Sequence, residues 1–300
     1  MEKYYEIFEQ IYESPTISLH DISTNVGLSR NTVSEYVKEM YATGIMVGPQ
    51  IRMKPSPDYK EYVYLMDFSD PFQVFTGLKE FPHVVYHAMA LGDWTTMVIT
   101  DRLLDLSQLV GFHNMVYQGV RGYSYTPKPE YITWDESFTK VDKEMAEFAP
   151  EPSEHKDRQL NSLDWGEDEW KLFRAFKYKM RKTVTPTLKK IKVRYEGYSK
   201  WMEDLKDNCT VHTGFYPEGF QNYMSYCFLF YTEYESLVKS LFSLFPTTSF
   251  IMEVDSQLMV FTSMPSSEVA RELFCLIYSM KAESIMKRFN QAVALFYCQH

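Results

Sequence analysis

Residues 18–40, SLHDISTNVGLSRNTVSEYVKEM, constrain the fold of this chain most, because two amphipathic segments meet there at a single glycine. On both sides of Gly27, apolar residues recur every three or four positions, as they do in two short helices that share a core (Leu19, Ile22, Val33, Tyr36, Val37 and Met40). Gly27 supplies the positive φ that ends the first helix, and the Ser29 hydroxyl caps the second. The spacing predicts a helix-turn-helix.

The outward face of the second helix carries the side chains that we expect to touch DNA bases. Arg and Asn at the start of an exposed helix pair bidentately with guanine and adenine edges, and each contact contributes roughly 1–3 kcal/mol of discrimination. The alternative is an ordinary solvated face on a protein-interaction domain. The predicted base contacts are Ser29, Arg30, Asn31, Ser34 and Lys38.

Composition limits the remaining possibilities. The 300 residues are 45% apolar, which suggests about two domains with sizeable cores. No run of 18 apolar residues occurs and the N-terminus is acidic, so we expect a cytoplasmic protein that does not bind membranes. The net charge of −9 requires any nucleic-acid contact to use a local patch. The four cysteines form no CxxC pair, and the spacing of His83, His87 and His113 predicts no metal site, cofactor or catalytic residue.

The first half of the chain is interpreted as two domains. Residues 1–60 form a winged helix-turn-helix, with a bracing helix at 2–13 and a β-wing whose tip is Gly48-Pro49. Residues 61–126 form a ferredoxin-like domain, a sheet with helices on one face. Its expected order is strand, helix, two strands, helix and strand, with the second helix at 104–113 and the last strand at 115–125.

An internal repeat predicts the same plan in the second half. Local landmarks recur in order at an offset of 162 to 165 residues: Phe81-Pro82 with Phe245-Pro246, YVYLMDF with MSYCFLF, and MVIT with MVFT. The fold class is therefore α+β, with two winged helix-turn-helix domains alternating with two ferredoxin-like (β-α-β-β-α-β) domains. After a polar linker at 127–162, which includes a short helix near 140–147, the predicted second copies are a winged helix at 163–221 and a ferredoxin-like domain at 222–300.

The second winged helix lacks the turn glycine, and aligning its apolar residues on the first makes it four residues shorter. It is strongly basic, however. Residues 171–200 hold eleven Lys or Arg against the single acid Glu196, whereas residues 1–50 hold three basic and seven acidic side chains. Neutralised phosphates release counterions, so the basic copy is expected to add affinity without sequence choice. The predicted phosphate contacts are Lys189, Lys190, Lys192, Arg194 and Lys200.

The stretch DISTNVGLSRNTVSEYVKEMYATGIM, followed by the β-α-β-β-α-β order, resembles the Lrp/AsnC (feast/famine) family of transcriptional regulators. The resemblance covers nearly the whole chain as two successive copies. It implies a partner in duplex DNA, a homodimer through the ferredoxin-like sheets, and a small effector, such as an amino acid, near the turn between the second and third strands. The residues that carry it are Ile22, Val26, Gly27, Leu28, Ser29, Val33 and Gly44-Ile45, and the effector turn contains Gly92, Asp93 and Trp94.

The leading hypothesis is thus a DNA-binding transcriptional regulator, and two alternatives stay open. Siroheme decarboxylases resemble Lrp/AsnC proteins, and that resemblance implies a tetrapyrrole enzyme in which His87 is an acid and Arg121 a carboxylate anchor. The strand motif of those enzymes is replaced here by Asp93-Trp94-Thr95. The third possibility is an interaction scaffold that does not bind DNA.

Overall fold

The structure is a computed structural model that describes residues 1–147 and 160–300. The helices among these residues are α1 (Glu2–Glu13), α2 (Leu19–Val26), α3 (Arg30–Ala42), α4 (Pro71–Gly77), α5 (Trp134–Glu147), α6 (Glu167–Phe176), α7 (Val184–Ile191), α8 (Tyr195–Asn208), α9 (Glu235–Ser243) and α10 (Ser267–Ala282). The strands are β1 (Met46–Met53), β2 (Tyr62–Phe68), β3 (Val84–Gly92), β4 (Thr96–Thr100), β5 (Phe112–Tyr125), β6 (Cys209–Phe215), β7 (Met224–Thr232), β8 (Phe250–Val254), β9 (Gln257–Met264) and β10 (Met286–Gln299).

The N-terminal helix-turn-helix is confirmed. Helix α1 packs its apolar face against α2 and α3 in one buried cluster, which includes Phe8, Ile22, Val33 and Met40. Gly27 ends α2 in the left-handed conformation with a φ of 67°, as its position in the sequence predicts. The mixed α+β class is also confirmed, with this helical domain preceding a body rich in β-strands.

The predicted tip of the β-wing at Gly48-Pro49 is wrong. Gly48 and Pro49 lie within a single strand, β1, which pairs in antiparallel fashion with β6 from the second half of the chain. The ladder is irregular between Val47 and Gln50, because Pro49 has no N–H to donate. A Cβ at Gly48 would lie 2.4 Å from the carbonyl oxygen of His212, so the glycine marks a close approach to β6 rather than a turn.

This two-stranded sheet joins the two helical domains. At one end, Met46 of β1 and Phe215 of β6 belong to the core of α1–α3. At the other end, Met53 of β1 and Cys209 of β6 belong to the core formed by α6, α7 and α8. Each strand therefore packs against both cores. The domains predicted at 1–60 and 163–221 thus share a sheet, and residues from both ranges pack together in each core.

The remaining eight strands form one closed antiparallel barrel with the order β10-β3-β4-β2-β5-β8-β9-β7. Strands β2 to β5 supply one half and β7 to β10 supply the other, and each half has the 4-1-3-2 order of a ferredoxin-like sheet. The two seams are the β3–β10 and β5–β8 pairs. The barrel interior is filled with apolar side chains such as Leu65, Trp94, Met97, Leu229 and Met259.

Helices cover the two halves of the barrel unequally. On the second half, α5, α9 and α10 bury one large cluster that includes Val141, Leu241 and Leu273. The helix predicted at 104–113 in the first half is wrong, since only a 3-10 turn at Leu106–Gln108 forms there before β5 begins. Gly111, with a φ of 81°, turns the chain into that strand. None of the described helices is long and apolar enough to cross a membrane.

The predicted linker at 127–162 is largely structured where it is described. Its short helix is longer than expected and corresponds to α5, which is fixed to the barrel by a 2.9 Å hydrogen bond from the Ser137 hydroxyl to the Leu244 carbonyl. The part of the linker prediction at 148–159 lies outside the described residues.

Two buried polar clusters attach the β1–β6 sheet to the barrel. Arg121 of β5 forms an ion pair with Glu61 and donates to the Met53 carbonyl at 2.6 Å. The ring of His212 lies 2.9 Å from the Ser124 hydroxyl through Nε2, and its Nδ1 contacts the Thr126 hydroxyl. Burial lowers the pKa of His212 to about 3, and the neighbouring Arg52 and Arg121 guanidiniums lower it further. The folded protein therefore holds this imidazole neutral.

His212 should make the protein less stable in acid. Because its pKa is lower in the folded than in the unfolded chain, stability is lost as the pH falls from about 6.5 towards about 3. Within that window the His212 contribution to the free energy of unfolding falls by about 1.4 kcal/mol per pH unit. Denaturant unfolding at several pH values should show a shallower pH dependence for His212→Gln than for the wild type. The exposed His113→Gln variant is the control, and an identical slope in both variants would contradict this account.

Candidate DNA-binding interface

The α2–α3 turn presents α3 at the protein surface with a fixed orientation. The Ser29 hydroxyl accepts a hydrogen bond from the Thr32 N–H at 3.1 Å and so caps α3. Nothing lies within 4 Å of a Cβ built on Gly27, so its left-handed backbone, rather than crowding, favours glycine there. One face of α3 is buried through Val33, Val37 and Met40, so the opposite face of the helix points to solvent.

The predicted base-contact residues share this outward face. Ser29, Arg30, Asn31 and Lys38 are exposed, and Ser34 is half-buried. Among the described residues, no ion pair involves Arg30 or Lys38, so intramolecular carboxylates do not neutralise these cations. An exposed capped helix with an Arg-Asn pair in its first turn has the dimensions and donors that a major groove accepts.

The second helix pair has the same connection as the first, so the predicted four-residue deletion is wrong. Helix α7 has eight residues, as α2 does, and Lys192 ends it with a φ of 59° in the place that Gly27 holds after α2. Val193 and the N-cap Arg194 then lead into α8, as Leu28 and Ser29 lead into α3. Because a lysine here adopts the left-handed conformation, the missing glycine concealed the turn in the sequence.

All five predicted phosphate-contact residues are exposed around the α7–α8 turn. We call them the α7–α8 basic face: Lys189, Lys190, Lys192, Arg194 and Lys200. In the position of Arg30, α8 begins with Tyr195, which is 63% exposed. The first turn of α8 therefore offers an aromatic ring and the acid Glu196 where α3 offers Arg and Asn. The charge of this face suits phosphates better than base edges.

Other basic residues in this segment serve the fold. Lys171 pairs with Glu167 at 2.7 Å, and Lys177 donates to the His300 carbonyl. Arg181 donates to the Pro15 carbonyl at 2.9 Å, and burial lowers its pKa. The basic patch is thus smaller than the eleven cations in the sequence indicate.

The predicted effector turn is used structurally. The Asp93 carboxylate accepts the Gln291 N–H at 2.9 Å, and a Cβ at Gly92 would lie 2.4 Å from the Gln291 carbonyl oxygen. Trp94 is only 1% exposed and packs inside the barrel. The turn is fixed to β10, and its role in effector binding stays a prediction.

The two residues assigned to the enzyme alternative do not converge. In the barrel order, β4 and β2 lie between β3, which carries His87, and β5, which carries Arg121. Arg121 is already neutralised by Glu61. His87 is fully buried and contacts the Phe75 carbonyl at 2.9 Å, and burial lowers its pKa to about 4, which disfavours proton donation near neutral pH. As placed, neither side chain is free to act as an acid or a carboxylate anchor.

Comparisons with known proteins bear on both interpretations. Residues 5–45 match a family model described as winged helix-turn-helix DNA-binding. A search of curated proteins found no significant match. Among solved structures, the chain is similar to the siroheme decarboxylase NirDL, with 11% sequence identity and a TM-score of 0.52 over 98% of this chain and 91% of that one.

Two transcriptional regulators match over a shorter part of the chain. AsnC of E. coli is 12% identical with a TM-score of 0.33, over 40% of this chain and 90% of its own. A regulator of Neisseria meningitidis in complex with L-Met is 14% identical with a TM-score of 0.32, over 40% of this chain and 88% of its own. The chain thus shares its overall fold with NirDL, and its first helical domain is similar to winged helix-turn-helix DNA-binding domains.

Proposed function

We propose that this protein is a DNA-binding transcriptional regulator. The observation that carries the proposal is the exposed first turn of α3, where Arg30 and Asn31 follow the Ser29 cap with no ion pair to Arg30 among the described residues. The match of residues 5–45 to the winged helix-turn-helix model supports the same assignment. In this proposal, α3 enters the major groove and reads base edges.

The α7–α8 basic face supplies phosphate contacts in the same complex. The β1–β6 sheet holds both helical cores, so α3 and the basic face approach a duplex as parts of one body. Since the net charge is −9, long-range attraction to DNA is weak, and affinity depends on these local cations.

We further propose that the chain is a tandem of two Lrp/AsnC-like units, with the barrel as an intrachain counterpart of a sheet-to-sheet dimer. Support comes from the landmarks that repeat in the sequence, since YVYLMDF forms β2 and MSYCFLF lies in β7, the first strand of each half. A homodimer and an effector near Asp93 belong to the proposal as well. The inner sheet faces already meet inside the barrel, so a homodimer would use other surfaces.

The double variant Arg30→Ala, Asn31→Ala tests base reading. Each bidentate base contact contributes about 1–3 kcal/mol, so losing both contacts should lower the affinity for a DNA site selected from random sequence by roughly one and a half to four powers of ten. Affinity for unrelated DNA should change much less. Both side chains are exposed, so the melting temperature should stay unchanged.

The matched control is Arg102→Ala, Asn114→Ala, because these residues are also exposed but lie in the barrel part of the chain. If selected-site binding survives removal of the Arg30 and Asn31 side chains, or if no DNA site can be selected, base reading by α3 is excluded and the scaffold interpretation gains support.

The double variant Lys189→Ala, Lys190→Ala tests phosphate contact. Affinity should fall equally for all DNA sequences, and the slope of log affinity against log salt should become shallower by about 1 for each phosphate that the variant no longer neutralises. Titrations at several salt concentrations measure this slope. Arg271→Ala, Lys281→Ala removes two exposed cations from α10 and should leave the slope unchanged. Equal slopes in the wild type and the Lys189 and Lys190 variant would refute a role for the basic face.

A second candidate function rests on the fold shared with the siroheme decarboxylase NirDL over 98% of the chain. An enzyme of that kind would bind siroheme, so the Soret absorbance of siroheme should shift when the protein is added. His87 and Arg121 have protein partners that oppose this function. A saturable shift followed by decarboxylation would establish the enzyme, and an unchanged spectrum would remove this candidate.

A further inference from the structure

Three potential metal-ligating side chains meet at the β3–β10 seam of the barrel. His87 of β3 lies directly opposite Cys298 of β10 in the ladder, so their side chains share one face of the sheet. His300 extends the same edge, because its N–H donates to the Val85 carbonyl at 3.0 Å. Since side chains alternate along a strand, His300 projects to the same side as Cys298. The packing of His87 against Phe75 of α4 shows that this is the outer face of the barrel.

The spacing of the three ligand atoms suits a small metal ion. Nδ1 or Nε2 of each histidine and Sγ of Cys298 all lie within 4.8 Å of one another, and His87 Nδ1 is 2.9 Å from His300 Nε2. In a tetrahedral site with metal–nitrogen bonds of about 2.0 Å and metal–sulfur bonds of about 2.3 Å, two nitrogens lie roughly 3.3 Å apart and a nitrogen and a sulfur roughly 3.5 Å apart. Shifts well within side-chain freedom therefore bring the three atoms to coordination distance.

A hydrogen bond to the backbone orients the His87 ring as a metal ligand. Its Nε2 lies 2.9 Å from the Phe75 carbonyl oxygen, which only accepts hydrogen bonds, so Nε2 carries the proton. Nδ1 is then left with a lone pair that points towards His300 Nε2. Metal-binding histidines commonly donate their other ring N–H to a backbone carbonyl in this way.

The surroundings also fix His300. The Tyr178 hydroxyl donates to the His300 backbone oxygen at 2.7 Å, and Lys177 donates to the same oxygen. Both contacts engage the main chain, and the Nε2 atom of the His300 imidazole lies 2.9 Å from His87 Nδ1. Among the described residues, the charges of Lys177 near His300 and of Lys79 near His87 oppose a bound cation, whereas the Glu80 carboxylate near His300 favours one.

We propose that His87, Cys298 and His300 form a binding site for a divalent transition metal ion of the Zn²⁺ type, with a fourth position open to solvent or to a further ligand. Two imidazoles and one thiolate are a ligand set that Zn²⁺ and Co²⁺ share, whereas Mg²⁺ and Ca²⁺ prefer oxygen. The bound ion adds a crosslink between β3 and the end of β10, at a seam that the hydrogen bonds of the ladder already close.

Cobalt absorption on the full chain tests this site, because a Co²⁺–thiolate bond gives a charge-transfer band. Reduced wild-type protein should bind one equivalent of Co²⁺, with visible bands of tetrahedral cobalt and a near-ultraviolet band from the thiolate. Zn²⁺ should bleach both. Cys298→Ser should abolish the thiolate band, and His300→Ala should weaken Co²⁺ binding at least tenfold.

The controls are Cys275→Ser and His113→Ala, which alter an exposed thiol and an exposed imidazole elsewhere and should leave the titration unchanged. Circular dichroism verifies that each variant is folded. Failure of the wild type to bind Co²⁺ would overturn the proposal. The proposal would also be overturned if the thiolate band persisted in the folded Cys298→Ser variant, or if it disappeared in the Cys275→Ser variant.

Discussion

Strand pairing between the two halves of the chain is the interaction on which the rest of the structure depends. The β3–β10 and β5–β8 pairs close the barrel, and the β1–β6 pair joins the two helical cores. Closing the barrel gives its edge strands partners inside the same chain, so no barrel edge is left for another chain to pair with. The β1–β6 pair also links the two helix-turn-helix pairs through a common two-stranded sheet, because both strands contribute residues to both helical cores.

This arrangement explains how an acidic protein can carry a DNA-binding interface. The first helix pair has the better turn and the Arg30-Asn31 pair, but residues 1–50 are acidic overall. The second pair has a lysine in place of the turn glycine and an α8 that begins with Tyr195, yet it carries the exposed cations. In the proposed function, the first helix pair reads bases and the second binds phosphates. The β1–β6 sheet connects the two pairs, so that both can contact one duplex.

The features that could be predicted from the sequence are local ones. Apolar periodicity and Gly27 are sufficient to define α1–α3, and alternating strands with repeated landmarks give the order of each barrel half. The β1–β6 pairing could not be predicted, because Gly48-Pro49 is typical of a turn and its partner strand lies far along the chain. The α7–α8 turn could not be predicted because Lys192 adopts the left-handed conformation, which glycine favours and lysine rarely adopts. His87 and His300, 213 residues apart, meet only through the β3–β10 seam, so no spacing motif reveals their cluster.

The most direct test of the central claim asks whether both helix pairs touch the same duplex. Photo-crosslinking side chains at Ser34 in α3 and at Lys200 in α8, introduced one at a time into the full chain, would be irradiated with a single selected DNA site. The account predicts that both positions crosslink to that duplex, the α3 position at bases and the α8 position at the flanking backbone. Crosslinking from only one position, or from neither, would contradict a shared interface.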